Sequence, residues 1–243
     1  RTETVTGKAH FFERIGSTAA QKRTSRHSDT PRMDTPHSRR KVSMDDYDWA
    51  DLIDNEDKVR MLISPTSEYA MAGAWAMGRA MDDAIIAAAT GTAYSGVAGG
   101  TSVTLPAGQK VAHASGGLTV AKLISAKEVL DAADIDPDEP RFLVCAAGQI
   151  ADLLAITEIT SADFNTVKAL ASGQIDTFLG FKFIRSQRLG TDSTPSRQCL
   201  AFTKSAIGLA VGADISTKIS ERADKNYATQ VFLSMTIGAT RIE

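Results

Sequence analysis

The longest helical pattern in the chain is Ser64-Pro-Thr-Ser-Glu-Tyr-Ala-Met-Ala-Gly-Ala-Trp-Ala-Met-Gly-Arg-Ala-Met-Asp-Asp-Ala-Ile-Ile-Ala-Ala-Ala89. Ser64 is a natural N-cap, Pro65 suits the first helical position, and Glu68 places a carboxylate in the first turn. Strong helix formers follow, and Gly91 is a typical stop. The sequence therefore predicts one helix of about 26 residues, which at about 1.5 Å per residue is about 39 Å long.

Side-chain size varies around this helix. Small residues such as Gly73 and Ala80 allow another backbone to approach closely on one face, whereas Met71 and Trp75 supply bulk elsewhere. The charges of Arg79, Asp82 and Asp83 exclude a membrane-spanning helix. No other stretch of about 18 apolar residues occurs in the chain, so we expect no membrane span.

Charge is divided sharply along the front of the chain. Residues 1–44 hold ten Lys and Arg against four Asp and Glu, a net of +6, whereas all 243 residues carry −2. The segment 16–41 is rich in Ser, Thr, Pro and Arg and cannot build a core, so we expect a flexible loop or arm that ends in a strand near 39–44. Residues 45–57 then hold seven acidic residues and no basic one.

After the long helix the pattern mixes helix and strand. Residues 91–117 indicate a loop or hairpin, 118–133 and 148–156 indicate helices, and 141–147, 178–189 and 198–203 indicate strands. Alternation resumes at Ile215, and a turn at 224–226 predicts a long hairpin whose second strand is 227–242. A long helix beside a long hairpin is expected to span a protein rather than to enclose a pocket.

Motifs of catalysis and cofactor binding are missing from the sequence. No two glycines are two residues apart, no Gly-Lys-Ser/Thr or Gly-x-Ser-x-Gly occurs, and no His precedes a Glu. His27 with Asp29, or Asp34 with His37, could hold a metal, but a solvated loop is the simpler interpretation. A dispersed Ser-His-Asp triad stays open in principle, although three of the four histidines lie in the basic residues 1–44. We expect no enzyme activity, cofactor or metal.

The two cysteines, Cys145 and Cys199, both lie in apolar runs. They form neither a disulfide framework nor a Cys-x-x-Cys motif, so we expect both to be buried and reduced, as in a cytoplasmic protein. Because the first residue is Arg1 and not methionine, we expect the front of the chain to have been processed or trimmed.

The basic arm allows three interpretations. It could be a solvated loop, or it could bind nucleic-acid phosphates, although no aromatic side chain for base stacking occurs between Gly16 and Met44. It could also dock on the acidic segment of a neighbouring copy, because opposite patches on one chain suit head-to-tail contacts. The expected contact residues are Lys22, Arg23, Arg26, Arg39, Arg40 and Lys41 on one side, and Asp45, Asp46, Asp48, Asp51, Asp54, Glu56, Asp57 and Glu68 on the other.

The order of these parts resembles that of tailed-bacteriophage major capsid proteins. The resemblance rests on Lys22-Arg-Thr-Ser-Arg26, Asp34-Thr-Pro-His-Ser-Arg-Arg40, the helix at 76–89 and Ile237-Gly-Ala-Thr-Arg241. It implies an α+β Hong Kong-phage-type fold, also called the Johnson fold. Its parts would be an N-terminal arm (1–9), an extended loop (10–45), a peripheral domain (46–92 and 214–243) with a spine helix at about 65–90, and an axial domain (93–213).

The resemblance also implies a function. Such a protein self-assembles as pentamers and hexamers into an icosahedral shell around double-stranded DNA. It is assembled in the host bacterial cytoplasm and resides in the virion, where the packaged DNA makes non-specific contacts. Scaffolding, portal and decoration proteins are possible partners. An encapsulin-like compartment shell, a nucleic-acid-binding module that uses the basic arm, and a hydrolase with a dispersed triad stay open as alternatives.

Overall fold

The computed structural model describes residues 1–27, 29–30, 32–60, 65–113, 116–133, 135–156, 177–191 and 196–242. Its largest sheet is built on the long hairpin of β11 (Ile207–Arg222) and β12 (Ala228–Arg241). Strand β4 (Asp45–Ile53) pairs antiparallel with β12, and β1 (Thr2–Thr4) pairs parallel with β11. The strand order is β1-β11-β12-β4.

The spine helix α2 (Pro65–Thr90) packs on this sheet. Alternate residues of β12, including Leu233 and Met235, are fully buried beneath it together with Met77 of the helix. Contact is close because Gly73 has no side chain: a Cβ atom there would lie 2.7 Å from Leu233 Cδ1 and from Trp49 Cε3. The predicted length and limits of the helix are confirmed, while the proposed cap at Ser64 lies outside the described residues.

A second sheet carries the extended loop. Its strands are β2 (Ala9–Ile15), β3 (His37–Ser43), β5 (Ala93–Ser95) and β6 (Thr101–Val103), in that order and all antiparallel. Phe12 and Val42 are buried at its base against Ala210 and Ile242. The base therefore rests on the large sheet, and the predicted hairpin at 91–117 joins the loop strands.

The third sheet forms the remaining core. Strand β7 (Arg141–Cys145) lies between β10 (Leu200–Thr203), which is antiparallel to it, and β9 (Phe181–Arg185), which is parallel; β8 (Thr177–Phe178) is the far edge. Helices α3 (Val120–Ala132) and α4 (Ala147–Leu154) cover it through Leu123, Ile150 and Leu153. Thr119 caps α3 by accepting a bond from the Lys122 amide at 3.4 Å.

Three predicted elements differ in the structure. The run at 178–189 is not one strand, because Leu179 and Gly180 adopt positive φ angles of 52° and 83° and turn β8 into β9. Strand β11 begins at Ile207, not at Ile215, because its first residues are buried and therefore show no alternation. Helix α1 (Asn55–Arg60) was not predicted, since it has no buried residue and hence no apolar stripe.

Candidate subunit interface

The acidic residues form an exposed strip, here called the acidic edge, made of Asp45, Asp46, Asp48, Asp51, Asp54, Glu56 and Asp57. Tyr47 and Trp49 of β4 turn toward the spine helix, so Asp46 and Asp48 project from the opposite face of the sheet. Thr236 Oγ1 donates a hydrogen bond to Asp46 Oδ1 at 2.6 Å. Glu68, in the first turn of α2, is exposed as well.

Position in the sheet makes this strip accessible. Strand β4 is the outermost strand, and no other strand within the described ranges pairs with its free side. Carboxylates on an edge strand discourage indiscriminate strand pairing. In the part of the chain that the structure describes, no carboxylate of the acidic edge takes part in an ion pair. The strip therefore carries net negative charge toward solvent.

The six basic residues predicted to make contacts fall into two groups. Lys22, Arg23 and Arg26 lie in the described part of the loop 16–36, which has no regular secondary structure, and all three are exposed. Arg23 Nε donates a hydrogen bond to the Ser25 carbonyl at 3.1 Å, a contact within the loop itself. This group, here called the loop cations, is therefore presented outward at the far end of the β2–β3 hairpin.

The second group lies in β3 and is engaged within its own chain. Arg39 forms an ion pair with Glu13 of β2 at 3.0 Å, with both side chains at least half exposed. Arg40 is half-buried, and its Nε donates a hydrogen bond to the Ile242 carbonyl at 3.2 Å. Lys41 is half-buried beside it. Arg40 ties the hairpin to the end of the large sheet, Arg39 pairs within the hairpin and Lys41 is half-buried, so this group differs in its contacts from the loop cations.

Sequence reasoning missed an apolar patch on the outer side of the spine helix. Trp75 is 65 % exposed and Met71 is 43 % exposed, although large apolar side chains are normally covered. A sequence signal exists: Met71, Trp75, Arg79 and Asp82 follow helical spacing and so share a face with two charges. That spacing places Trp75 on the polar side of the helix, away from the sheet.

Two arginines connect the spine helix to the rest of the subunit. Arg241, at the end of β12, is buried and donates hydrogen bonds to the carbonyls of Ala89, Gly91 and Val103 at 3.3, 3.0 and 2.9 Å. Burial is the main cause that lowers the pKa of this guanidinium. Arg188, after β9, forms a bidentate ion pair with Asp83 of the helix.

Sites for a metal ion or a small ligand are few among the described residues. Among them no group of three or more His, Cys, Asp or Glu side chains could hold a metal ion. No described helix is long and apolar enough to cross a membrane. One open hollow of about 490 Å³ lies over residues 23–27 of the loop, and another of about 240 Å³ lies beside the Asp83–Arg188 pair. Surfaces rather than cavities are therefore the candidates for function.

The family model described as phage capsid protein matches residues 1–243, and the chain belongs to this family. It is a major capsid protein that forms the head shell and is located in the virion. No curated protein matches the chain.

Solved structures confirm the Hong Kong-phage-type fold. The capsid of the cyanophage P-SCSP1u matches with a TM-score of 0.71 at 19 % identity, over 99 % of this chain and 82 % of that one. Mycobacterium phage Che8 matches with a TM-score of 0.70 at 17 % identity, over 98 % and 82 %. The capsid of Helicobacter pylori bacteriophage KHP30 matches with a TM-score of 0.65 at 12 % identity, over 99 % and 80 %.

Proposed function

We propose that the chain closes an icosahedral shell of pentamers and hexamers around double-stranded DNA, and that the loop cations of one subunit dock on the acidic edge of the next. This docking is supported by two exposed surfaces of opposite charge on different elements of one subunit. Such a contact is heterologous, because each copy offers a different surface to each neighbour, and heterologous contacts propagate into rings and shells. Its role is structural, without a catalytic step.

Apolar contact would add to the electrostatic attraction between neighbouring subunits. Met71 and Trp75 lie on the outer face of the spine helix, near the acidic Glu68 of the same helix. An extended loop from a neighbour that crosses this helix would cover them while its cations meet the carboxylates. Each exposed ion pair contributes about 0.2 to 1 kcal/mol, so the apolar cover and the number of copies matter more than any one pair.

Assembly is proposed to take place in the cytoplasm of the host bacterium. Further partners would be a scaffolding protein, a portal and a decoration protein, together with packaged DNA held by non-specific contacts. Membership of the phage capsid family supports a genome as the content, rather than the cargo enzyme of an encapsulin-like compartment.

The experiment is a charge reversal at the loop cations. The triple variant Lys22→Glu, Arg23→Glu, Arg26→Glu should fold normally by circular dichroism but yield few closed particles by electron microscopy and sedimentation. Salt screens ion pairs between exposed side chains, so wild-type assembly should also weaken as ionic strength rises.

A matched control has the same change in net charge at another site. Lys110, Lys182 and Lys204 are exposed and lie outside the extended loop. Reversing these three lysines to Glu should leave particle yield near wild type. Normal particles from the loop variant, or equal loss from both variants, would contradict docking by the loop cations.

A further inference from the structure

The pairing of β10 with β7 brings the two cysteines close to each other in the fold. In the antiparallel pair of β10 and β7, Leu200 faces Val144 and Ala201 faces Leu143. Cys199 directly precedes β10, and the same register continued by one position would set it opposite Cys145. This proximity cannot be recognised from the sequence alone, because the two residues are 54 positions apart and only the fold brings them together.

Both side chains point to the same face of the sheet. Cys145 is fully buried in the core that also contains Leu143, and Cys199 packs against that core. Their neighbours Val144 and Leu200 lie in a different cluster on the opposite face. The alternation therefore directs the two side chains to one side of the sheet.

We propose that Cys145 and Cys199 are a redox modification site, a dithiol that closes to a reversible disulfide within one subunit. Opposed residues in an antiparallel pair have Cβ atoms about 4.5 to 5.5 Å apart. A disulfide requires about 3.5 to 4.5 Å. A shift of about an ångström, together with rotation of the side chains, closes the gap, so no change of fold is needed. Both thiols are free in the structure.

Different accessibility gives the two thiols different roles. Cys199 is half-buried, whereas Cys145 has no exposed surface, so an oxidant reaches Cys199 first. A peroxide would oxidise the Cys199 thiol to a sulfenic acid and be reduced to water or an alcohol. The Cys145 sulfur then attacks the Cys199 sulfur and loses its proton, the S–O bond breaks, and the hydroxyl leaves with that proton as water.

Burial also makes this oxidation slow. It raises the pKa of both thiols to about 11, so about one molecule in ten thousand carries a thiolate at neutral pH. Oxidation is therefore slow, and the cysteines stay reduced while the chain folds in a reducing compartment. The expected order, in which the subunit assembles reduced and is oxidised in the released particle, rests on the proposed function.

The disulfide would tie an edge strand to its sheet. Strand β10 is the outermost strand and β7 is its only described partner. A covalent link between them closes a large loop of chain, which restricts the unfolded ensemble. We expect the oxidised subunit to unfold several degrees higher than the reduced one.

The test is made on the full-length purified subunit, so it does not depend on whether shells form. Reduced protein is treated with hydrogen peroxide at neutral pH, unfolded in guanidinium chloride with iodoacetamide, and weighed as an intact chain. The expected product is about 2 Da lighter than the reduced chain, for the two hydrogens lost, and takes no alkyl group. A phosphine reductant should restore two alkylated thiols.

Two controls make a negative result informative. The same peroxide treatment of the unfolded chain verifies that the dose suffices, and Cys199→Ser, at the more exposed position, should abolish the loss of mass while the subunit stays folded. The proposal is overturned if the folded chain keeps two alkylatable thiols at that dose. It also fails if the folded chain gains oxygen in steps of about 16 Da with Cys145 still alkylated, or if the disulfide links two chains on a non-reducing gel.

Discussion

Arg241 Nη1 donates a hydrogen bond to the Gly91 carbonyl at 3.0 Å, although 150 positions of the chain separate the two residues. Gly91 follows the last residue of the spine helix, where carbonyl groups have no helical partner and the helix dipole is negative. The buried guanidinium of Arg241 donates hydrogen bonds to these carbonyl groups and places a positive charge at the negative end of the dipole. The final strand of the large sheet therefore secures the end of the spine helix.

Replacing this cation should weaken the subunit. Arg241→Met leaves the three carbonyl groups without their donor, so we expect the free energy of unfolding to fall by about 2 to 3 kcal/mol in urea titrations. Arg39→Met is the control, since it removes only an exposed ion pair with Glu13 and should cost less than about 1 kcal/mol. Equal losses in the two variants would show that Arg241 has no special role.

Two glycines of the spine helix should respond in opposite directions to the same substitution. Gly73→Ala places a methyl group 2.7 Å from Leu233 and Trp49, so the helix must move away from the sheet and stability should fall. Gly78→Ala meets no atom within 4 Å, so it should stabilise the subunit by about 0.5 to 1 kcal/mol through helix propensity alone. Thermal unfolding of both variants measures the difference, and stabilisation by Gly73→Ala would contradict the close packing.

The turn of the long hairpin contains a carboxyl group with a depressed pKa. Arg222 donates two hydrogen bonds of 2.8 Å to Asp224, and this contact is the main cause that lowers the pKa of Asp224 to about 2 from its ordinary 3.8. The ion pair is fully formed above about pH 4, and its contribution disappears as pH falls toward 2. NMR titration of the Asp224 carboxyl carbon should give the low pKa in wild type and a value near the ordinary one in Arg222→Gln. An unchanged pKa in the variant would exclude Arg222 as the cause.

Fluorescence of Trp75 should report docking directly. In a Trp49→Phe background Trp75 is the remaining tryptophan, and its exposed indole should emit at long wavelength in the free subunit. Assembly that covers the spine helix should shift the emission to the blue. Trp75→Ser should lower the particle yield without changing the fold, whereas Val97→Ser, at an 85 % exposed site in the turn between β5 and β6, should not lower it. Identical emission in subunits and particles would exclude cover of this face.

Local periodicity in the sequence determined the largest elements of the fold. The spine helix follows from its cap, its helix formers and its stop, and the second strand of the long hairpin follows from apolar residues at every other position. Both patterns repeat within a few residues, so they can be recognised without knowledge of distant contacts. The reversal of charge between the basic arm and the acidic edge is also a property of the linear chain.

Tertiary structure decided what those elements present to solvent. It tied Arg40 to Ile242 and Arg241 to Gly91, left Lys22, Arg23 and Arg26 outside, and turned Trp75 away from the sheet. It also brought Cys145 and Cys199 into one core through the pairing of two strands. The physical reason is the same in each case: hydrogen bonds, burial and strand register join residues far apart in the chain, and a local pattern carries no record of its distant partner.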